Sequence, residues 1–131
     1  MIRERKYLLL LLLGILSTGI LYSQWVPVKV NISCNLNSIC IIDENSGWIV
    51  GDKGAILFKV NENWLEYPKI TDANLYAVDF INKNDGWAVG QNGTILHYDG
   101  IKWEKVESPT EETLYSVSFV SPARGIAVGN R

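Results

Sequence analysis

Short runs of apolar and polar residues, separated by turn residues, fill most of the chain. Leu75–Ile81 alternates roughly and is rich in β-branched and aromatic residues, which predicts a strand. Trp87–Gln91, Thr94–Tyr98 and Lys102–Val106 follow at short intervals as a second, third and fourth strand. No window keeps apolar residues at the three- and four-residue spacing of an amphipathic helix. The pattern predicts four short antiparallel strands in about 40 residues.

The turn residues between these strands support an antiparallel arrangement. Asn82–Gly86 ends in Asp-Gly, and Asp99-Gly100 closes the third strand. Asn92-Gly93 is the strongest short-range signal for a two-residue hairpin, because both central residues of that turn need a positive φ. We therefore expect Gly54 and Gly93 to supply the positive φ of equivalent hairpins.

The strand pattern recurs along the chain with a period of 39 residues. Residues 36–74 and 75–113 are identical at 12 of 39 positions without a gap, and residues 114–131 match 75–92 at 8 of 18. The equally spaced residues include Trp25, Trp64 and Trp103; Leu36, Leu75 and Leu114; and Gly51, Gly90 and Gly129. Such a repeat indicates copies of one supersecondary unit, each burying an apolar face against the next.

These copies predict an all-β fold, an incomplete β-propeller of four-stranded antiparallel blades. In order, residues 24–131 divide into an orphan outer strand with its linker at 24–35, a blade at 36–74, a second blade at 75–113 and a half blade at 114–131. Propellers close with about four to eight blades. The favoured interpretation is a fragment of a longer protein. Several copies completing a ring, and an open arc that self-associates through its blade edges, are the alternatives.

The recurring tryptophans and glycines have structural interpretations. We expect Trp64 and Trp103 to fill the space between adjacent sheets. Their alternative role is an aromatic platform for sugar binding. Gly51, Gly90 and Gly129 lie inside the second strand, where they are expected to let side chains of a neighbouring blade approach closely.

Residues 1–23 have the pattern of an export signal, predicted as an N-terminal signal helix. Arg3, Arg5 and Lys6 precede an apolar run at Tyr7–Tyr22, and small Ser23 offers a cleavage point. The run is shorter than the roughly 20 residues that span a bilayer as a helix. We expect a periplasmic, cell-surface or extracellular protein, with an uncleaved membrane anchor as the alternative.

The net charge limits the classes of partner that this chain is expected to bind. Removing residues 1–23 takes away three of twelve basic and one of fourteen acidic residues, which leaves a formal charge of −4. Without a basic stripe, nucleic acid is not expected as a partner.

Cys34 and Cys40 would lie about 20 Å apart in an extended strand, whereas a disulfide needs Cα atoms about 5.5 Å apart. We therefore favour two unpaired thiols.

Gly86–Trp103 resembles the blade motif of BNR/Asp-box-type propellers and is especially similar to exported photosystem II stability/assembly factor-like propellers. Gly47–Leu57 repeats the motif, and Arg124–Gly129 begins it again. The resemblance implies the propeller fold, but such propellers host unrelated functions. This sequence departs from the pattern in two ways. Asp99-Gly100 comes only four residues before the tryptophan, and the arginine-rich face expected of assembly-factor relatives is missing.

Candidate catalytic chemistry is sparse. A sialidase-like glycoside hydrolase needs three clustered arginines and a tyrosine nucleophile. Arg124 and Arg131 lie in one half repeat, so the catalytic residues of such an enzyme would lie outside this chain. His97, the single histidine, aligns with Phe58 and is interpreted as a half-buried structural residue rather than a base or ligand. No ligand spacing predicts a metal site, and no cofactor is expected.

The sequence therefore favours a non-catalytic segment that binds protein partners through the loops at one end of its blades. The sequence does not identify the binding residues. Positions that differ between copies are candidates: Asn37 against Tyr76, and Cys40 against Asp79 and Ser118. The second hypothesis remains a fragment of a glycoside hydrolase. A membrane would be contacted only through an uncleaved N-terminal segment.

Overall fold

The computed structural model describes residues 25–131, which form three antiparallel sheets in sequence order. The first sheet contains β1 (Leu36–Asp43), β2 (Ser46–Gly51), β3 (Ile56–Val60) and β4 (Asn63–Glu66). The second contains β5 (Leu75–Asn82), β6 (Asp85–Gly90), β7 (Ile95–Tyr98) and β8 (Trp103–Val106). The third contains β9 (Leu114–Ser121) and β10 (Arg124–Gly129). Within each sheet, every strand pairs with the next one along the chain, so the predicted all-β blade repeat is confirmed.

The first strand of each sheet lies on the inner side of the arc. Strand β5 contacts both β1 and β9, and these contacts are the most extensive between sheets. The third and fourth strands instead pair mainly within their own sheet. Sheets that converge at their first strands and diverge at their fourth have the geometry of propeller blades.

The two faces of each sheet can be named by the neighbour that they meet. We call the face toward the preceding sheet the leading face and the face toward the following sheet the trailing face. On β5, Val78 and Phe80 belong to the leading face and pack in the core shared with the first sheet. Ala77 belongs to the trailing face and packs against Leu114. The two-residue alternation of a strand thus assigns successive side chains to different interfaces.

Two apolar clusters hold the three sheets together. The larger one joins the first and second sheets and consists of Trp48, Val50, Ile56, Leu75, Val78, Ala88, Leu96 and Trp103. The smaller one joins the second and third sheets and consists of Ala77, Val89 and Leu114, with Ile95 and Val117 packed against it. The second sheet is therefore covered on both faces.

The outer faces of the arc remain exposed. Ile39 and Ile41 lie on the leading face of the first sheet, and both are more than half exposed. Val120 and Ile126 lie on the trailing face of the third sheet and are exposed to a similar or greater extent. The same sequence pattern that forms a core in the middle of the arc thus leaves apolar surface at its two ends.

The predicted orphan strand at residues 24–28 does not form within the residues that the structure describes. Residues 25–35 adopt no strand, and Trp25 is fully exposed. A fourth strand needs a third strand as its hydrogen-bonding partner, and none precedes it in the described part of the chain. Trp64 is half-buried for a related reason, because no described sheet lies against the leading face of the first sheet.

The hairpins between second and third strands have the predicted geometry. Asn92 and Gly93 have φ values of 54° and 64°, and Lys53 and Gly54 have 57° and 71°. Two consecutive positive φ values are those of a type I′ turn. A Cβ atom on Gly93 would lie 1.9 Å from the Thr110 carbonyl oxygen. Glycine is therefore required here both for its φ and for the close approach of another chain segment.

The prediction for Gly51, Gly90 and Gly129 was wrong about what approaches them. A Cβ on Gly90 would lie 2.0 Å from the carbonyl oxygen of Asn74, which precedes the first strand of the same sheet. That carbonyl accepts a hydrogen bond of 2.8 Å from the Gln91 N–H. The other two glycines approach the equivalent carbonyls in their own sheets. These glycines therefore admit the backbone of their own blade, not side chains of a neighbouring one.

The N-terminal segment and the cysteines lie at the margins of this fold. The predicted signal at residues 1–23 lies outside the described residues. Within residues 25–131, no helix has the length and apolar character needed to cross a bilayer. Cys34 and Cys40 are both free thiols, in agreement with the sequence prediction.

Candidate protein-binding face

The three sheets present equivalent polar residues at one end of the arc, where second strands turn into third strands. We call this end the turn face. It carries the residues just before and within each first strand and the residues of each hairpin turn. Its members are Asn35, Asn37, Asp52, Lys53, Asn74, Tyr76, Gln91, Asn92, Tyr115 and Asn130.

Asp52 organises the first-sheet part of the turn face. Its two carboxylate oxygens accept hydrogen bonds from the side-chain amides of Asn37, at 2.9 Å, and Asn35, at 2.8 Å. Both bonds lower the pKa of Asp52 because they stabilise the ionised carboxylate, and the bond from Asn37 has the larger effect. The carboxylate is therefore a negative group held in place, and each of its oxygens already accepts one hydrogen bond.

Hydrogen bonds along the turn face also link neighbouring sheets. The Asn37 side-chain amide donates to the Leu75 carbonyl oxygen at 2.9 Å. The Lys53 backbone N–H donates to Asn74 Oδ1 at 2.8 Å, so the first hairpin turn is tied to the connection that enters the second sheet. Surface groups held in this way keep a constant spacing from sheet to sheet.

Two tyrosines supply apolar area in the middle of this polar surface. Tyr76 and Tyr115 occupy equivalent positions on β5 and β9, and their ring centroids lie 5.2 Å apart. Tyr115 is 49% exposed. Its hydroxyl accepts a hydrogen bond of 3.4 Å from the Asn130 side chain. Asn37 takes the place of these rings in the first sheet, so the candidate pair Asn37 and Tyr76 lies on the turn face.

The second set of candidate positions lies elsewhere. Asp79 Oδ2 accepts a 2.7 Å hydrogen bond from the backbone N–H of Phe119 in the next sheet. Cys40 is in the equivalent place, where burial raises the pKa of its thiol and a hydrogen bond from the Phe80 backbone opposes that rise. Ser118 continues the series on the trailing face of the third sheet. Asp79 and Cys40 thus contact the following sheet, and all three positions lie within first strands rather than in the loops at the blade ends.

A repeated aromatic stack that was not predicted crosses each interface between sheets. Trp48 stacks on Phe80 with centroids 5.7 Å apart and planes 6° apart. Trp87 stacks on Phe119 at 5.2 Å and 16°. The 39-residue spacing of both tryptophans and both phenylalanines is visible in the sequence, but spacing alone does not show which residue faces which neighbour.

Trp103 has the packing role predicted for it. Its ring meets Trp48 edge-on at 5.4 Å and 83°, and meets Phe80 at 5.6 Å and 86°. Only 2% of the residue is exposed. Edge-to-face contacts at this distance are favourable for aromatic rings. The ring therefore closes the outer part of the interface between the first and second sheets.

His97 also has the structural role predicted for it. Its Nε2 lies 2.9 Å from Asp85 Oδ1, and Trp87 Nε1 donates to the same oxygen at 3.2 Å. The imidazole stacks on Trp87 with centroids 4.1 Å apart. The ring, the carboxylate and the indole thus support one another on a half-buried sheet surface.

The opposite end of the arc contains side-chain-stabilised turns. Asp99 Oδ1 accepts hydrogen bonds from the N–H groups of Lys102, at 2.9 Å, and Ile101, at 2.8 Å. Both bonds lower the pKa of Asp99, and that of Lys102 has the larger effect. Gly100 has a φ of 93°, and Asn61 supplies 54° at the equivalent position. The first copy therefore keeps the positive φ but has no aspartate there.

Known structures share this architecture. No protein-family model and no curated protein matches the sequence. A solved structure of YCF48 bound to D1 peptide superposes with a TM-score of 0.73 and 19% identity, over 85% of this chain and 39% of that chain. YCF48 from Cyanidioschyzon merolae superposes with a TM-score of 0.64 and 22% identity, over 80% of this chain and 40% of that chain.

These superpositions establish a shared fold. They confirm the resemblance to photosystem II assembly factor-like propellers at the level of architecture, and they give no support to a BNR repeat. The chain spans about two fifths of the length of these YCF48 chains. Partial coverage agrees with an arc of two full blades and part of a third.

Proposed function

We propose that this chain is a non-catalytic, exported propeller segment that binds a protein partner through the turn face. The partner's contact region is an extended peptide that crosses the first strands of consecutive sheets. Tyr76 and Tyr115 give it apolar anchors, and the surrounding amides and Asp52 bond to its backbone and polar side chains. The observation that carries the proposal is a hydrogen-bonded polar surface that continues over three sheets, with paired tyrosine rings on the second and third.

The chemistry of the turn face suits peptide recognition. Tyrosine gives a large contact area at a low cost in side-chain entropy and is enriched where proteins meet. Asn74 and Gln91 are each held by a hydrogen bond to neighbouring backbone, and each amide keeps further bonding capacity. A preorganised surface reduces the entropy lost on binding.

The comparison structures add support of a general kind. One of them is YCF48 with a bound D1 peptide, so a propeller of this architecture can hold a peptide. The likeness between the two chains is one of fold.

The placement of reactive side chains favours binding over catalysis. His97 and Asp85 bond to each other on a sheet surface away from the turn face, where Asp85 also accepts a bond from Trp87 and His97 stacks on its ring. Arg124 and Arg131 belong to the same half repeat, so they do not form the three-arginine cluster of a sialidase. The Asp52 carboxylate is already bonded to two amides and is suited to recognition.

The export part of the proposal rests on residues 1–23, with their basic start and apolar run. In the exported compartment, the three sheets work as part of a larger propeller, completed by a longer form of the chain or by further copies. Fusing residues 1–30 ahead of a reporter phosphatase that is active only outside the cytoplasm tests export. We expect activity, and we expect Leu11→Asp, which interrupts the apolar run, to remove it.

Peptide binding is tested with the full chain and a displayed library of random peptides, with the D1 peptide as one defined probe. We expect selected peptides to bind with micromolar dissociation constants. The double variant Tyr76→Ala and Tyr115→Ala should weaken them roughly tenfold or more, the range for losing interface anchors. Fluorescence anisotropy with labelled peptides measures this change.

The matched control is Ile101→Ser, which removes an exposed apolar side chain at the opposite end of the arc. This variant should bind peptides as the wild type does. Peptides that bind all three proteins equally would place the binding site elsewhere, and a library that yields no peptide would contradict the proposed function.

A further inference from the structure

Each first strand contains a β-bulge at its second residue. In β5 the pairing with β6 shifts between Leu75 and Ala77, so Tyr76 is the extra residue of the strand. The same shift makes Asn37 the extra residue of β1 and Tyr115 that of β9. Bulges redirect a side chain and are common beside functional sites. The three bulged residues are thus a repeated feature of the turn face.

The bulged residues lie in a row that begins beside Asp52. The Asn37 side-chain amide donates to the Asp52 carboxylate and to the Leu75 carbonyl oxygen, at 2.9 Å in both cases. A single amide therefore separates the carboxylate from the strand segment that carries Tyr76. The Tyr76 ring continues the row to Tyr115, at 5.2 Å between centroids. Asp52 is therefore within reach of a long side chain that lies on Tyr76.

The acceptor sites that remain on Asp52 suit a guanidinium group. An ionised carboxylate has about two acceptor sites on each oxygen. Asn37 takes one site on Oδ1, and Asn35 takes one on Oδ2. A site remains on each oxygen, and arginine presents two parallel N–H groups that match such a pair. A tyrosine ring also attracts a cation that lies over its face.

We propose that the peptide held by the turn face carries an arginine whose guanidinium group lies on Tyr76 and bonds to Asp52. This selectivity rests on the peptide binding proposed for the turn face, and it names the side chain that the surface prefers. Lysine binds more weakly, because its ammonium group is a point charge and does not match both carboxylate oxygens at once.

Charges at this end of the arc also favour a basic partner. Each fourth strand ends here, so the connections that enter β5 and β9 border the turn face. Lys69 and Asp72, in the first of these connections, form an ion pair and cancel. The other charged residues of these two connections and of the segments that follow each second strand are acidic Asp52, Glu107, Glu111 and Glu112 and basic Lys53 and Arg131. Four acidic against two basic residues leave a formal charge of −2. Such a charge attracts a cation over about 8 Å in physiological salt.

A displayed library of random peptides, selected on the full chain, tests this preference first. We expect arginine to be enriched at one position of the selected peptides, above both lysine and the acidic residues. Each arginine of a selected peptide is then replaced by citrulline, which has nearly the same shape but no charge. Fluorescence anisotropy should show a roughly tenfold or greater loss of affinity at that position, as for losing hydrogen bonds to a charged group.

Two variants that copy the second sheet locate the arginine. Asp52→Gln introduces the residue found at Gln91, so the hairpin turn accepts it, and it should reduce the preference for arginine over citrulline to about threefold or less. Lys53→Asn introduces the residue found at Asn92 and removes a positive charge beside the carboxylate. It should raise the affinity of the arginine peptide about twofold and leave that of the citrulline peptide unchanged.

The matched control is Asp43→Asn, which makes the same change of charge as Asp52→Gln at the opposite end of the arc. Asn82 occupies the equivalent place in the second sheet, and each of these side chains accepts a backbone N–H two residues on. The control should keep the full preference for arginine.

Two results would overturn the arginine site while leaving peptide binding at the turn face in place. One is a set of selected peptides whose affinity citrulline does not change. The other is a preference for arginine that Asp52→Gln leaves as large as in the wild type. A library that yields no peptide would overturn both the arginine site and the proposed function.

Discussion

The second sheet and its two neighbours share a sequence pattern but differ in how much of it they bury. Leu75 begins the second sheet with 0% of its surface exposed, whereas Leu36 begins the first with 37%. Val89 on β6 is 1% exposed, and its counterpart Val128 on β10 is 57% exposed. The difference shows that each copy encodes both of its apolar faces, and that a neighbouring sheet decides whether a face becomes core.

Local structure does not follow this division. The hairpin turns of the first and second sheets each have two consecutive positive φ values, although their sequences differ at Lys53 and Asn92. Strand pairing within the sheets also has the same register. Strand and turn geometry is thus a property of one repeat, while stability depends on contacts between repeats.

The largest expected effect comes from the tryptophan that the middle interface encloses. Trp103→Ala should lower the free energy of unfolding of the full chain by about 4 kcal/mol, because a large buried ring leaves a cavity. Trp64→Ala should cost about 1 kcal/mol, since its ring is half-buried. Urea unfolding followed by circular dichroism measures both. Equal losses would mean that the first sheet is covered in solution.

Leu36 and Leu75, at equivalent positions in the first and second sheets, test the same difference in burial with a smaller side chain. Leu75→Ala should destabilise the chain by about 3 kcal/mol, within the range for fully buried leucines. Leu36→Ala should cost about 1 kcal/mol at most, because part of its surface already contacts water. Both changes remove the same atoms from the same strand position, so the difference in urea midpoint isolates the effect of the neighbouring sheet.

Backbone changes at the hairpin test the claim that turns are local. Gly93→Ala should cost about 2 kcal/mol, because alanine is strained at positive φ and its Cβ would meet the Thr110 carbonyl. Asn92→Gly, one residue earlier, should stay within about 1 kcal/mol of wild type. Thermal unfolding compares the two. If Gly93→Ala were as stable as Asn92→Gly, the close approach would not exist in solution.

The smallest expected effect is on stability at low pH. The pKa values of Asp52 and Asp99 lie below their usual range, held there by the Asn37 amide and the Lys102 N–H as the first causes. A lowered folded-state pKa contributes stability that is present above the unfolded pKa of about 3.9 and is lost as pH falls through the folded value.

The thermal unfolding midpoint should therefore be constant near neutral pH and should decrease once the pH drops below about 4. Asp99→Asn should make that fall shallower. Glu111→Gln, at an exposed carboxylate in the connection before β9, serves as the control. If the midpoint of Asp99→Asn depended on pH as that of the wild type does, the hydrogen bonds that Asp99 accepts in its turn would not contribute to stability.

Strand positions and turn types could be predicted from the sequence because they depend on neighbouring residues. The Asn92-Gly93 signal and the alternation over Leu75–Ile81 each specify a local geometry. Trp103 was also interpreted correctly, since a large recurring ring in a repeat needs a sheet interface. These predictions rest on one strand or one hairpin at a time.

Contacts between segments that are distant in sequence could not be predicted in the same way. The partner of Gly90 proved to be the Asn74 carbonyl, and Cys40 and Asp79 proved to join sheets. The periodicity shows that these positions are equivalent, but it does not show which face of a strand they occupy. The turn face has the same limit, because the 5.2 Å approach of Tyr76 to Tyr115 depends on how two sheets pack.

The equal connections between outer and inner strands have a consequence for how this chain can vary. A residue added between Trp64 and Leu75 would displace Asn74, whose side chain accepts a hydrogen bond from the Lys53 N–H and whose carbonyl accepts one from the Gln91 N–H. A residue added in the exposed turn at Lys83 and Asn84 leaves both interfaces in place. New loops can therefore be grafted at the β5–β6 turn, whereas an insertion in the connection from β4 to β5 breaks hydrogen bonds that tie two sheets together.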